Sequence, residues 1–282
     1  MNANLPQQTP TIKDWLGIAC DQLSKIGITS AKLDSEIILA YILGKNRTYL
    51  HAHANRVVDK QNTIKANAQL KRRLGHTPIA YIVGNKEFYG REFIVSPDVL
   101  IPRPESEDII DILKQILPAT SYRLPTIKLI DVGTGSGCLG ITAKLEFPLL
   151  DVTLTDTSEK ALIVAKQNAK KYTVEINYLQ DDLLQNYHSK PNIIIANLPY
   201  VDTSWDRSPE TNFEPSLALF ADKGGLSMNE RIIVQASEIL TKNGYLVIEA
   251  DPDQHSHLSE CAKKYRFDPE QILNYVIAFK KL

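Results

Sequence analysis

The chain changes its pattern of hydrophobic and polar positions twice. From Thr11 to about Leu74, apolar residues recur at three- and four-residue spacing, which predicts a small bundle of helices. Between Gly75 and Pro97 the apolar runs become short, and Tyr81–Val83 and Phe93–Val95 read as strands with glycine turns between them. This middle stretch therefore predicts a β-hairpin.

From Lys128 onward, short apolar runs alternate with helical patterns. The predicted strands are Lys128–Val132, Val152–Asp156, Glu175–Gln180, Asn192–Asn197 and Tyr245–Ala250, with two more near Gln271–Asn274 and Val276–Lys280. The predicted helices are Leu139–Glu146, Ser158–Lys171, Met228–Leu240 and Gln254–Lys264. Most of the runs are continuously apolar, as in strands that helices cover on both faces. The alternation predicts an α/β fold with a doubly wound, Rossmann-like sheet.

These patterns divide the chain into four parts. Residues 1–10 are a predicted tail, 11–74 a helical domain, 75–100 a linking β-hairpin, and 101–282 the α/β domain. The last part opens on Ile101–Glu105, whose prolines precede a helix that is predicted to run to about Leu117.

The composition narrows the class of protein. Of the 282 residues, 32 are Lys or Arg and 33 are Asp or Glu, and the net charge of −1 argues against a generally basic nucleic-acid binder. The 3 cysteines lie far apart and predict neither a disulfide framework nor a metal site, so we expect a reducing, cytoplasmic location. No apolar run approaches the roughly 20 residues that cross a membrane.

A glycine-rich turn follows the first predicted strand of the sheet. Gly133, Gly135 and Gly137 stand at alternate positions directly before a predicted helix. Glycines accept positive φ and let a ligand lie against bare backbone, and the helix N-terminus adds free N–H groups. The three glycines fit the pattern of S-adenosylmethionine binders, whereas Gly135, Gly137 and Gly140 fit the dinucleotide fingerprint.

Two acids help to choose between these ligands. Asp131 precedes the turn, where a carboxylate repels a diphosphate but favours a cationic sulfonium or amino group. Asp156 ends the second strand of the sheet and is placed to accept hydrogen bonds from both ribose hydroxyls of either ligand. A helix-capping role ahead of Ser158 is the alternative interpretation of Asp156.

A second site follows the fourth strand of the sheet. There an apolar run ends in Asn197-Leu198-Pro199-Tyr200. Ligands of open α/β sheets bind outside the carboxyl ends of the strands, so we expect the first and fourth strands to be neighbours and Asn197 to face the glycine turn. The amide of Asn197 offers a donor pair and an acceptor, Pro199 stiffens the loop, and Tyr200 offers a ring.

These motifs together resemble the class I S-adenosylmethionine-dependent N-methyltransferases. Within them, the upstream sequence resembles the release factor glutamine methyltransferases. The segments that carry this second resemblance are the helical N-terminal region, Gly75–Gly84, Phe88–Gly90, Ile101–Glu107, and Phe213–Pro215 before Ala218-Leu219. The resemblance extends from about Asp14 to Leu282.

The resemblance implies a reaction and a set of site residues. It implies methyl transfer from S-adenosylmethionine to the side-chain amide nitrogen of the glutamine in the Gly-Gly-Gln loop of peptide chain release factors, which are the expected partners. The residues expected to bind the cofactor are Asp131, Gly133, Thr134, Gly135, Ser136, Gly137, Asp156, Leu183 and Asn197. The residues expected to take part in catalysis are Asn197, Leu198, Pro199 and Tyr200. The helical domain is expected to recognise the protein substrate, without direct binding of nucleic acid or membrane.

Leu198 departs from the family pattern, which has proline at this position. The group expected to matter there is a backbone carbonyl, which leucine retains, although leucine loses the φ restriction of proline. Other functions stay open on the residues alone. They are methylation of a ribosomal-protein glutamine, methylation of adenine in a nucleic acid, a nicotinamide dehydrogenase, which leaves Asn197–Tyr200 without a role, and an inactive binding protein.

Overall fold

The computed structural model describes residues 9–117 and 127–282, so the first eight residues of the predicted tail lie outside it. The chain divides into two compact units. The first takes in the chain up to Gly84 together with Ser208–Phe213, and the second consists of Asn85–Arg207 and Glu214–Leu282.

The first unit is a bundle of helices. They are α1 (Ile12–Lys25), α2 (Ala31–Leu43), α3 (Arg47–Ala52), α4 (Lys60–Leu74) and α5 (Ile79–Val83). Thr11, Asn46 and Asp59 each cap a helix by accepting a hydrogen bond from a backbone N–H of its first turn. The apolar faces meet around the fully buried Trp15, whose indole N–H donates to Asn67 at 2.8 Å. The bundle predicted from the helical spacing is thus confirmed.

A buried ion pair holds the segment Ser208–Phe213 in this unit. The guanidinium of Arg73 is almost fully buried and contacts Asp34 at 2.6 Å and Glu210 at 2.5 Å. Asp34 is as buried as Arg73 and is the main partner of this charge, whereas Glu210 is partly exposed and adds a second contact from the segment. Glu210 therefore fixes the segment to the bundle.

The strand predicted at Tyr81–Val83 is wrong, because these residues form α5. Pro78 stands at the N-cap of this single turn, and Gly84 ends it in the left-handed conformation with φ of +79°. Tyr81 and Ile82 are buried. A short apolar run does not distinguish a buried turn of helix from a strand, and here the flanking proline and glycine decide for helix.

The second unit opens with an antiparallel hairpin and continues into a mixed sheet. The hairpin strands are β1 (Asn85–Phe88) and β2 (Arg91–Ile94). The sheet strands are β3 (Lys128–Val132), β4 (Asp151–Asp156), β5 (Asn177–Gln180), β6 (Ile193–Ala196), β7 (Tyr245–Glu249), β8 (Phe267–Leu273) and β9 (Val276–Lys281). The helices of this unit are α6 (Glu107–Ile116), α7 (Cys138–Glu146), α8 (Glu159–Lys171), α9 (Ser227–Ile239) and α10 (His255–Lys264). The predicted α/β fold is confirmed.

The sheet has the spatial order β5-β4-β3-β6-β7-β9-β8. Its first five strands are parallel, and β9 and β8 close it as an antiparallel pair. Because β3 pairs with both β4 and β6, the predicted neighbourhood of the first and fourth strands is confirmed. The chain order reverses at β3, and open α/β sheets bind ligands at this kind of switch point.

The sheet is buried on both faces. Leu129 and Ile193 belong to one hydrophobic cluster, and their neighbours Ile130 and Ile194 belong to the other. Successive side chains of a strand point to opposite faces, so a continuously apolar strand supplies both clusters. None of the helices in the described ranges is both long and apolar enough to cross a membrane.

Candidate active site

A pocket of the second unit lies at the carboxyl ends of β3, β4 and β6. The predicted site residues that line it are Gly133, Thr134, Gly135, Ser136, Asp156, Leu183, Asn197, Leu198 and Pro199. Its lining does not include Asp131, Gly137 or Tyr200, all of which the structure describes. The lining also includes residues from before α6 and from the loop before α9: Asp98, Val99, Leu100, Pro102, Arg103, Ser106, Pro215, Leu217 and Ala218. Its other residues are Cys138, Leu139, Thr157, Ser158, Ala161, Asp181, Asp182 and Met228.

The three glycines of the turn are needed for different structural reasons. All three have positive φ, of +69° at Gly133, +54° at Gly135 and +81° at Gly137. A Cβ at Gly133 would lie 2.9 Å from a side-chain carbon of Leu198, and one at Gly137 would lie 2.8 Å from Ile141. No described atom lies within 4 Å of the corresponding position at Gly135, which also lines the pocket. Gly135 therefore presents bare backbone to the pocket.

Asp131 lies behind the turn. Its side chain is fully buried, and Oδ2 accepts hydrogen bonds from the Thr134 hydroxyl at 2.6 Å and the Gly140 N–H at 2.9 Å. Burial raises the pKa of this carboxyl to about 6. The sequence predicts a cationic group of the ligand beside Asp131, whereas the contacts of its carboxylate are with the turn and with α7. Asp131 therefore shapes the pocket from behind.

Asp156 lines the pocket and also binds the turn. Its Oδ2 accepts from the Gly135 N–H and its Oδ1 from the Ser158 N–H, both at 2.9 Å. The N-cap of α8 is Ser158, whose side chain accepts from the Ala161 N–H. Burial is the main reason that the pKa of Asp156 is raised, and the backbone N–H groups act in the opposite direction. Each carboxylate oxygen has more than one lone pair, so Asp156 retains acceptor capacity for a ligand.

The segment Asn197–Tyr200 is tied down at both ends. The Asn197 side-chain nitrogen donates to the Ser106 hydroxyl at 2.7 Å, and the Tyr200 phenol donates to Glu249 at 2.9 Å. The side chain of Leu198 is buried beside Gly133. Burial, and after it the charge of Glu249, raises the pKa of Tyr200, so this phenol stays protonated. Asn197, Leu198 and Pro199 thus line the pocket, while Tyr200 anchors the segment.

Sequence reasoning gave no role to three residues of this region, Ser106, Glu249 and Glu214. Ser106 and Glu249 bind the Asn197–Tyr200 segment, as described above. The Arg103 guanidinium lines the pocket and contacts Glu214 at 2.6 Å, and the other oxygen of Glu214 accepts from the Ile101 N–H at 3.1 Å. Glu249 could have been predicted in the same way as Asp131 and Asp156, because it is an acidic residue at the end of an apolar strand.

The pocket suits a nucleoside ligand. Gly135 offers close backbone approach, Asp156 offers acceptors for ribose hydroxyls, and Leu183 offers an apolar side chain to cover a base. Leu183 is nearly buried and has a φ of +59°. The residues present therefore fit S-adenosylmethionine, and the fit rests on the donor and acceptor chemistry of the lining.

Two family models match the chain. The PrmC N-terminal domain matches residues 14–84, and the methyltransferase small domain matches residues 106–211. The release factor glutamine methyltransferase of Koribacter versatilis is 33% identical over 86% of this chain and 89% of its own length. That of Coxiella burnetii is 33% identical over 86% of this chain and 87% of its own length.

Longer relatives match as well. The bifunctional methyltransferase of Rickettsia felis is 36% identical over 85% of this chain, which spans about half (51%) of that protein. Among solved structures, a methyltransferase from Pyrococcus furiosus has a TM-score of 0.53 at 18% identity and covers 77% of this chain and 98% of its own. This likeness shows the methyltransferase fold.

Proposed function

The chain belongs to the release factor glutamine methyltransferase family, and from this membership we propose its reaction. It transfers a methyl group from S-adenosylmethionine to the side-chain amide nitrogen of the glutamine in the Gly-Gly-Gln loop of a peptide chain release factor. The observation that supports this proposal most is one pocket that joins Gly135 and Asp156 to Asn197 and Leu198. Release factors act in translation, so the reaction takes place in the cytoplasm.

The cofactor side of the proposal uses the glycine turn and the end of β4. S-adenosylmethionine, when bound, supplies a methyl group made electrophilic by a sulfonium sulfur. Asp156 accepts the ribose hydroxyls, the Gly135 backbone allows close approach, and Leu183 covers the base. Asp131 acts through the turn, because its carboxylate holds Thr134 and the start of α7 in place.

The substrate side uses the segment Asn197–Tyr200. Asn197 Oδ1 and the backbone carbonyl of Leu198 accept the two N–H bonds of the target amide. An amide nitrogen is a poor nucleophile because its lone pair is delocalised into the carbonyl. Two fixed acceptors orient this nitrogen and favour the positive charge that develops on its N–H groups as the new bond forms. Pro199 shapes the slot, and Tyr200 holds the segment through Glu249.

Positioning is the main catalytic contribution in this proposal. Asn197 and the backbone of Leu198 would hold the target amide for in-line attack on the methyl group of the bound cofactor, and well-oriented intramolecular reactions gain about 7–11 kcal/mol from such arrangement. The parallel pairing of β3 with β6, which makes the glycine turn and the segment Asn197–Tyr200 follow neighbouring strand ends, supports this proposal.

The helical unit is proposed to recognise the protein substrate. Its surface carries exposed apolar side chains on α2 and α4, including Leu33 (42% exposed), Tyr41 (51%) and Ile64 (61%). We expect Leu33→Glu and Tyr41→Glu to raise the KM for release factor without changing the Kd for S-adenosylmethionine. Leu149→Glu, at a leucine of the second unit that is 50% exposed, is the control. An unchanged KM in both α2 variants would remove this role.

Single-turnover methyl transfer with Asn197→Ala tests the proposed function. We expect a rate loss of about 100-fold or more, as on removal of one fixed polar group at a reacting centre. Asn192→Ala is the matched control, because Asn192 precedes the same strand and its side chain binds the Lys128 N–H away from the pocket. A wild-type rate in Asn197→Ala would contradict the role of Asn197.

A further inference from the structure

A chain of buried polar side chains lies behind Asn197. Ser106 ends the short 3₁₀ turn Pro104–Ser106 that precedes α6, and it is 2% exposed. Its hydroxyl oxygen accepts the hydrogen bond from the Asn197 side-chain nitrogen. The Asn197 side-chain oxygen, which the proposed function aims at the target amide, is therefore the end of the side chain that Ser106 leaves free.

Glu249 is the next member of this chain. It ends β7 and is 1% exposed, and its Oε1 accepts a hydrogen bond from the Tyr200 phenol. Its second oxygen, Oε2, is buried and has no well-formed hydrogen bond to any residue that the structure describes. Burial raises the pKa of Glu249, and the neighbouring Ser106 hydroxyl and the Tyr200 phenol lower it. Ser106 is thus a donor close to an acceptor that needs one.

In its ionised form the Glu249 carboxylate accepts hydrogen bonds and donates none, and this form sets one direction for the hydrogen bonds from Asn197 through Ser106 to Glu249. When the Ser106 hydroxyl donates its hydrogen bond to Glu249, the Ser106 oxygen can only accept the hydrogen bond from Asn197. The Asn197 amide then turns its nitrogen to Ser106 and its oxygen to the pocket. The two ends of an amide group have nearly the same shape, so a hydrogen-bond network of this kind is what selects one orientation.

We propose that Ser106 and Glu249 are positioning residues that hold the Asn197 amide with its oxygen towards the target amide. The inference rests on the proposed function, because that function requires an acceptor at this place. With its oxygen towards the pocket, Asn197 requires a substrate group that carries N–H donors. In the opposite orientation Asn197 would present its own N–H donors, which repel such a group. In this proposal the Glu249 carboxyl group positions both Tyr200, directly, and Asn197, through Ser106.

The direction of the chain depends on the charge of Glu249. A proton on this carboxyl lets it donate to Ser106, which then donates to the Asn197 oxygen and turns the amide nitrogen to the pocket. The other groups that act on the charge of Glu249 are Tyr200, Glu105 and Arg103. Because burial raises the pKa of Glu249, we expect kcat to fall on the acid side at a higher pH than an ordinary glutamate gives. Glu249→Gln removes this acid limb.

The first test reads the Asn197 side chain directly in the full-length protein. Its amide signal is identified in a ¹⁵N spectrum by its loss in Asn197→Asp, and the exchange of its protons with solvent is measured. We expect slow exchange in the wild type and fast exchange in Ser106→Ala. Glu249→Gln should change the chemical shift of the same signal. The controls are Ser35→Ala and Glu36→Gln, at a buried serine and a buried glutamate of the first unit.

The second test measures methyl transfer to a release factor. We expect Ser106→Ala and Glu249→Gln each to lower kcat by about tenfold, the loss of one hydrogen bond, with an unchanged Kd for S-adenosylmethionine. The double variant should be about as slow as either single variant, because both break the same chain. A loss of kcat that multiplies in the double variant overturns the coupling.

The two tests separate the two proposals. An Asn197 signal that does not respond to Ser106→Ala overturns the inference whatever the substrate is. A wild-type protein that shows the expected signals but transfers no methyl group to a release factor leaves the positioning chain in place and overturns the proposed function.

Discussion

Replacing Asp156 by alanine is expected to weaken the binding of S-adenosylmethionine strongly. In the structure, the Asp156 carboxylate binds the Gly135 and Ser158 N–H groups and lines the pocket. We propose that it also accepts both ribose hydroxyls. Alanine removes these acceptors and at the same time releases the backbone of Gly135.

The magnitude follows from the two hydrogen bonds to the ribose. Hydrogen bonds to a charged group are worth about 1.5–3 kcal/mol each. Because Asp156 is partly exposed, the lower value is appropriate, and two bonds give about 3 kcal/mol. Since about 1.4 kcal/mol corresponds to a tenfold change in Kd, the expected weakening is on the order of 100-fold.

Isothermal titration calorimetry measures this change, with Ser158→Ala as the control. Ser158 caps α8 through its side chain and also lines the pocket, so its loss costs about 1 kcal/mol of stability but leaves the Asp156 carboxylate in place. The wild-type affinity should also fall as the pH is lowered, because hydroxyl donors prefer the ionised carboxylate. Burial raises the pKa of Asp156, so this fall begins at a higher pH than for an ordinary aspartate, and it is absent in Asp156→Asn.

Two results would contradict the role of Asp156 as the ribose acceptor. Equal affinities of wild type and Asp156→Ala would assign Asp156 to the local structure of the turn alone. An equal loss of affinity in Ser158→Ala would mean that the helix N-terminus, and not the carboxylate, governs binding.

The remaining predictions concern the groups behind the pocket. Gly140→Ala should lower the free energy of unfolding by about 1–3 kcal/mol, measured by urea denaturation, because the new Cβ meets Leu154 and Asp131. The raised pKa of Asp131, about 6 in the fold against 3.8 ordinarily, contributes stability that is present below pH 3.8 and lost as the pH rises through 6. The loss is about 3 kcal/mol and should be absent in Asp131→Asn, so parallel stability profiles of the two proteins would contradict it. Gly225→Ala should abolish methyl transfer while cofactor binding remains, because its Cβ would meet the Tyr200 carbonyl, and full activity would contradict this.

The sheet was predictable because its strands carry strong local signals. Ile193–Ala196 is apolar at every position and ends in Asn197, and Lys128–Val132 runs directly into the glycine turn. Each of these two patterns is contained within a few consecutive residues of the sequence. The short helix at Tyr81–Val83 was not predictable from its apolar run, because one turn of helix has too few residues to show a period.

The contacts behind the pocket were harder to predict. Ser106 stands 91 residues before Asn197, and only the tertiary fold brings its hydroxyl to that amide. Asp131 was singled out by its place before the glycines, yet its burial depends on how α7 packs on β3. Glu249 was within reach of the same reasoning, since it is a charged residue at the end of a buried strand.

Mass spectrometry of a peptide chain release factor, incubated with this protein and S-adenosylmethionine, decides whether the protein methylates this glutamine. We expect the added mass of one methyl group on the side chain of the Gly-Gly-Gln glutamine, and none on a release factor in which that glutamine is replaced by glutamate. A release factor that stays unmodified, or a methyl group on another residue, would contradict it.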